Sequence, residues 1–308
     1  MSGTAESAFL PRSAFQKDLL YTLGGGDPRI TIAVLDGPVD RTHECFRGAR
    51  LTPIDDFAPD EFVTARTCND RTMAQGSHTA SVIFGQPCSA VEGQAPLCRG
   101  LLVPIFADGA VCTPQRLARA IVVAVDHGAQ VIHVGGGAFV TMADHDGQLA
   151  KALALCLRRK VLIIAAAGRR GSAELLRAAL AAPVLAVKAV EQLPSPGCDG
   201  ALAIGGGCGI AMPGSRIFGA ALEGRVARRS GACSAAALAS SLAGLLLSRQ
   251  LVTQDRADPL AVRHWLLDAA CANKARGGYA VLDSQRDIER LAAHAGLAYP
   301  VTRSFGPA

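Results

Sequence analysis

Short apolar runs at 30–35, 101–106, 130–134, 161–166 and 184–187 alternate along this chain with stretches whose apolar residues recur at helical spacing. That alternation predicts repeated βαβ units. The expected fold is therefore α/β with three layers, a mostly parallel central sheet covered by helices on both faces. The segments 114–127 and 145–159 carry the helical pattern, the first with Thr113 in capping position and Pro114 at the first helical position. Segment 258–272 opens in the same way on Asp258 and Pro259 and sets Val262, Trp265, Leu266 and Ala269 on one face, while 283–296 reads as a last amphipathic helix. The polar stretch 55–70 is expected to be a surface loop, and the Gly-rich stretch 197–209 to form tight turns between short strands.

The uncharged run Ser230 to Ser248 is long enough to be tested as a membrane span. Its first half is Ala, Ser and Gly, which carry too little transfer energy, so it reads as a buried central helix and no membrane partner is expected. The 308 residues suit one such domain, expected at 29–296 between an N-terminal segment 1–28 and a C-terminal tail 297–308. A net charge of +5 without aromatic interleaving falls short of a nucleic-acid surface. The start MSGTAESAFLPRSAF lacks a charged segment followed by an apolar run, so a cytoplasmic location is expected. Ten cysteines are scattered with no CxxC pair and no histidine at finger spacing, which predicts free, mostly buried thiols and neither a disulfide framework nor a metal site. No cofactor is expected.

Three stretches carry more specific information: Ile32 to Asp40 (IAVLDGPVD), Gln75 to Gly85 (QGSHTASVIFG) and Ser230 to Ser248 (SGACSAAALASSLAGLLLS). Together they resemble the subtilisin-like serine peptidases (peptidase S8, subtilases), and in particular the cyanobactin maturation proteases, over about residues 14 to 293. The resemblance implies a subtilisin-like domain in which Asp36 takes the triad aspartate position. It also implies that Gln75 falls where the catalytic histidine belongs, with Gly76, Ser77 and the non-catalytic His78 in register behind it. Cys233 falls on the nucleophile, and Arg169, after Ala165-Ala166-Ala167-Gly168, on the oxyanion-hole asparagine. Of four catalytic positions, Asp36 alone matches.

A carboxamide takes up no proton at physiological pH, so Gln75 cannot be a general base. His78 lies about 4.5 Å farther along the same helix and about 60° round it, which is too far to replace it. Asp36, at the end of a buried strand, must be hydrogen-bonded, and reads as an inherited structural acid with Gln75 or a backbone amide as partner. Cys233 at a helix start is expected to have a lowered pKa and more reactivity than the buried thiols, without the proton donor that amide chemistry needs. Arg169 with Arg228 and Arg229 suits a carboxylate-binding pocket, the alternative being arginines that point into solvent. His133-Val134-Gly135-Gly136-Gly137 stands where active relatives pair with the substrate backbone, so Gly135, Gly136 and Gly137 are expected either to offer a strand edge to a peptide or to mark a tight exit from the sheet.

These residues point to a catalytically degenerate subtilisin-like protein, a pseudoprotease expected to bind a peptide, an acidic one by the arginines, or a partner protein in ribosomally synthesised peptide maturation. Two alternatives stay open: a cysteine-dependent endopeptidase or acyltransferase using Cys233, and a structural subunit supporting a partner protease or modifying enzyme.

Overall fold

The computed structural model describes residues 23–54, 70–106, 111–136, 138–139, 147–167, 183–190, 209–271, 280–282 and 285–296. Seven strands form one sheet in the order β2-β3-β1-β5-β7-β8-β9. They are β1 (Thr31–Asp36), β2 (Leu51–Pro53), β3 (Arg99–Pro104), β5 (Val131–Val134), β7 (Leu162–Ala166), β8 (Val184–Ala189) and β9 (Gly209–Met212). Every pairing is parallel. The three-layer α/β architecture is the expected one. The central strands are apolar throughout because both faces are covered. Ile32 and Val34 of β1, with Leu162 and Ile164 of β7, pack into one layer, while Ala33, Leu35, Ile163 and Ala165 pack into the other.

The first layer holds α1 (Asp70–Phe84) and α4 (Ala232–Gln254); the second holds α2 (Pro114–Asp126) and α3 (Gln148–Arg158). α5 (Pro259–Cys271) and α6 (Gln285–His294) close the first layer from behind. The helix starts follow the sequence: Thr113 accepts from the Arg116 amide at 3.1 Å, and Asp258 accepts from the Ala261 amide at 3.1 Å. Among the described residues α4 is the one helix with the length and apolarity of a membrane span, and 83% of that window is buried within the fold. An apolar circumference needs cover on every side, and here the sheet, α1 and α5 supply it. Its small residues permit close approach: a Cβ on Gly244 would stand 2.7 Å from Ile32 Cδ1. The buried hydroxyls of Ser240, Ser241 and Ser248 donate to carbonyls one turn back, so these three hydroxyls are satisfied within the helix.

Several elements depart from the sequence expectation. α4 runs past Ser248 to Gln254, ending where Asp255 takes a left-handed conformation at φ 53°. Asp70 belongs to α1 and Gly209 to β9; the rest of 55–70 and 197–209 lies outside the described residues. The pattern also missed β2, β9, the two-residue pair β4 (Val111–Cys112) and β6 (Ala138–Phe139), and the hairpin β10 (Ile217–Ala220) with β11 (Val226–Arg229). These are short, and β11 reads Val-Ala-Arg-Arg, with no apolar face to mark it.

Candidate functional site

The carboxyl end of β1 delivers Asp36 to a position fully removed from solvent. Its Oδ1 accepts from the Gly37 amide at 2.8 Å and from Gln75 Nε2 at 2.9 Å, and its Oδ2 accepts from Thr79 Oγ1 at 2.9 Å. Burial pushes the Asp36 carboxyl up to about 6, and the donors from Gly37, Thr79 and Gln75 hold it from rising further. Gln75 and Thr79 lie four residues apart on α1, so one face of that helix presents both to the acid. Gln75 Nε2 also donates to the Gly136 carbonyl at 2.6 Å. A carboxamide has two N–H hydrogens, and here each has an acceptor.

Gly136 follows β5 and lies between this cluster and the start of α4. The Cys233 thiol donates toward its carbonyl at 3.9 Å. Burial, and then the negative charge of Asp36, push the thiol up to about 11. The lowered pKa expected for Cys233 is thus corrected in sign: removal from water and the adjacent carboxylate outweigh the helix start and the charge of Arg229. Cys45, Cys98 and Cys156 are raised by burial as well, whereas Cys88 and Cys271 are exposed. No disulfide forms among the described residues.

The glycines after β5 have a packing reason. A Cβ on Gly135 would fall on the Asp36 carboxyl, and one on Gly136 on the Cys233 sulfur. The Gly135 amide donates to the Leu35 carbonyl at 2.8 Å, so that amide and the Gly136 carbonyl are both occupied within the chain. At the start of α4, Gly231 adopts φ 136°, a backbone that side chains rarely tolerate.

His78 faces away from this cluster. It is buried, its Nε2 meets the Ile217 carbonyl at 3.0 Å, and burial pushes it down to about 4, so it stays neutral. With Ser81 Oγ, which accepts from the Ala220 amide at 2.7 Å, it fastens α1 to β10. The strand partners of β10 carry the two arginines, and they do not converge. Arg228 is exposed, with its guanidinium 4.3 Å from the Phe218 ring centroid, while half-buried Arg229 bears its charge on Asp36, His78 and Cys233.

The structure therefore brings Asp36, Gln75, Gly135, Gly136, Cys233 and Arg229 together. Arg169 and Gly137 lie outside the described residues. Thr79 is a member of the cluster that the motifs did not single out; its signal is the i+4 spacing from Gln75. His133, buried on β5, bonds Ser240 Oγ through Nδ1 at 3.1 Å in the core and takes no part. Among the described residues no group of three His, Cys, Asp or Glu side chains could hold a metal ion. A groove of about 450 Å³ between α2 and α3, lined by Val122, Val123, Leu155 and Arg158 among others, belongs to the outer helical layer rather than to this cluster.

The model of the peptidase S8 subtilase family matches residues 27–287. The thermophilic serine proteinase of Bacillus sp. (strain AK1) is 28% identical over 234 residues, which are 75% of this chain and 55% of that protein. The chain thus spans about half the length of that relative. The solved prenylagaramide maturation protease PagA is similar with a TM-score of 0.70 and 35% identity, covering 90% of this chain and 98% of that one. The patellamide maturation protease PatA gives a TM-score of 0.68 at 36% identity, covering 87% and 98%. The PatG macrocyclase in complex with peptide gives 0.70 at 27%, covering 90% and 96%.

Proposed function

The chain belongs to the subtilase family, and from that premise we propose that it is a member that binds peptides without hydrolysing them. The observation that carries this reading is the double donation of Gln75 to Asp36 and the Gly136 carbonyl. At the position where the resemblance places the base, the side chain is a donor with both hydrogens committed, and it has no site that takes up a proton at neutral pH. A thiol pushed up to about 11 is ionised in roughly one molecule in ten thousand at pH 7, so Cys233 does not replace the missing pair. Arg169, at the oxyanion position by resemblance, is the third departure.

Peptide binding is supported by the likeness of the whole fold to relatives named as maturation proteases and to a macrocyclase solved with a peptide. The proposed setting is the maturation of a ribosomally made peptide, with an acidic peptide or a partner modifying enzyme as ligand. The proposed domain limits are 29–296, with 1–28 and 297–308 as flanking segments. A fluorophosphonate probe, which marks activated serines, tests the reading: the protein should stay unlabelled and leave a mixed fluorogenic peptide pool intact. Labelling at Ser234, or cleavage that Cys233→Ala abolishes, would overturn it.

A further inference from the structure

We propose that the peptide ligand binds by adding an extended strand to the outer edge of β11, the strand that leads into the start of α4. The inference rests on the peptide-binding reading and specifies where, and through which groups, the ligand is held.

The hydrogen-bond phase of the hairpin is fixed at its turn, where the Ala221 amide donates to the Arg225 carbonyl at 2.7 Å. In an antiparallel ladder, opposed residues alternate between exchanging both main-chain bonds and exchanging none. Continued along the register, Gly219 with Ala227 and Ile217 with Arg229 are bonded pairs, whereas Ala220 with Val226 and Phe218 with Arg228 are not. The amides and carbonyls of these last four residues therefore point out of the hairpin. On the β10 side the Ala220 amide turns to α1, where Ser81 Oγ accepts from it at 2.7 Å. On the β11 side Val226 and Arg228 each turn an N–H and a C=O outward, and nothing among the described residues bonds these four groups. Val226 is 38% exposed and Arg228 is exposed as well, so the edge is open to a ligand. Such an edge is a template for a further strand.

Other edges differ. After β5, where the resemblance puts strand addition, the Gly135 amide is held by Leu35 and the Gly136 carbonyl by Gln75. β2 is three residues long and carries Pro53, which blunts it. The outer edge of β9 is covered, since Ala211 donates to the Ala280 carbonyl and accepts from the Leu282 amide, both at 2.8 Å. β11 joins an open ladder to nearness to the cleft, because it ends at Arg229 and Cys233 lies in the first turn of α4 just beyond. Main-chain pairing reads no side chain, so the ligand is an extended peptide of tolerant sequence whose alternate side chains lie beside Val226 and Arg228.

The probe is a fluorescent pool of random hexapeptides capped at both ends, compared by anisotropy with the same pool N-methylated at every amide. The methylated pool has lost its donors and should not bind where the plain pool saturates. Val226→Pro removes one outward N–H and no ladder bond, a change that an edge strand accommodates, and should weaken the plain pool about tenfold. Arg228→Gln keeps the backbone and should leave binding unchanged. In the unmodified protein, saturating plain peptide should slow hydrogen exchange at the Val226 and Arg228 amides about tenfold and leave the amides of β2 as they were. That measurement holds even if Val226→Pro fails to fold. A plain pool that binds without protecting those two amides, one that binds folded Val226→Pro as tightly, or equal binding of the two pools overturns the inference and leaves peptide binding standing. Binding of neither pool at millimolar concentration overturns both.

Discussion

Gln75 and His78 stand less than one turn apart on α1, and the two sides of that helix meet different partners. On the side facing β10, His78 and Ser81 hold the hairpin through the Ile217 carbonyl and the Ala220 amide. On the side facing β1, the polar atoms are equally well satisfied, but the group that donates to Asp36 is an amide. The contrast teaches that a buried carboxylate can be fully hydrogen-bonded by groups that take up no proton. Folding requires that buried Asp36 have donors; it does not require that any donor titrate.

The largest effect that would sharpen this comparison is a recovered activity. Gln75→His, Arg169→Asn and Cys233→Ser together should give measurable hydrolysis of a fluorogenic peptide pool, because losing a triad member costs about a millionfold in turnover, and even poor recovery is visible against that. A folded but silent triple variant would mean that the cleft itself has changed shape. Next comes stability on the two sides of α1. His78→Ala removes a buried ring and orphans the Ile217 carbonyl and should cost about 3 kcal/mol in urea unfolding, whereas Gln75→Ala, at a half-buried position with two other donors left on Asp36, should cost about 1 kcal/mol. The reverse order would break the comparison.

A pH series follows in size. His78 and His133 remain neutral in the fold, pushed down to about 4 from an ordinary 6.5, while the unfolded chain takes up both protons below 6.5. The stability they allow is whole above that pH and is lost as pH falls toward 4. Asp36 acts in the opposite sense, since its folded value of about 6 exceeds the ordinary 3.8 and acid relieves the cost of burying its charge. Between about pH 6 and 4 the unfolded chain therefore gains two protons against one in the fold, and stability should drop by about 1.4 kcal/mol per pH unit. In His78→Ala the balance is one against one, and the slope should nearly vanish. The smallest effect is a ranking of thiols: timed alkylation with peptide mapping should mark exposed Cys88 and Cys271 before Cys233. A Cys233 that reacts first would restore the thiol-enzyme alternative.

The central strands and the burial of α4 are legible in the sequence by itself, whereas the positions given to Asp36, Gln75 and Cys233 come from the family resemblance. Both are local: an apolar run fixes a strand covered on both faces, and an uncharged run with little transfer energy fixes a buried helix, whereas α1 opens at Asp70, five residues before Gln75. Edge strands such as β2 and β11 escaped because a few residues without an apolar face leave no period to read. The tertiary structure alone decided what each site residue does there. Gln75 meets Asp36 across 39 positions and Gly136 across 61, and Cys233 meets Gly136 across 97. The thiol rises where a helix start alone argued for a fall, the glycines serve close packing against Asp36 and Cys233, and adjacent arginines part to opposite faces of β11. Proton affinity and hydrogen-bond partnership depend on the water excluded and the charges gathered by distant segments, which no local pattern contains.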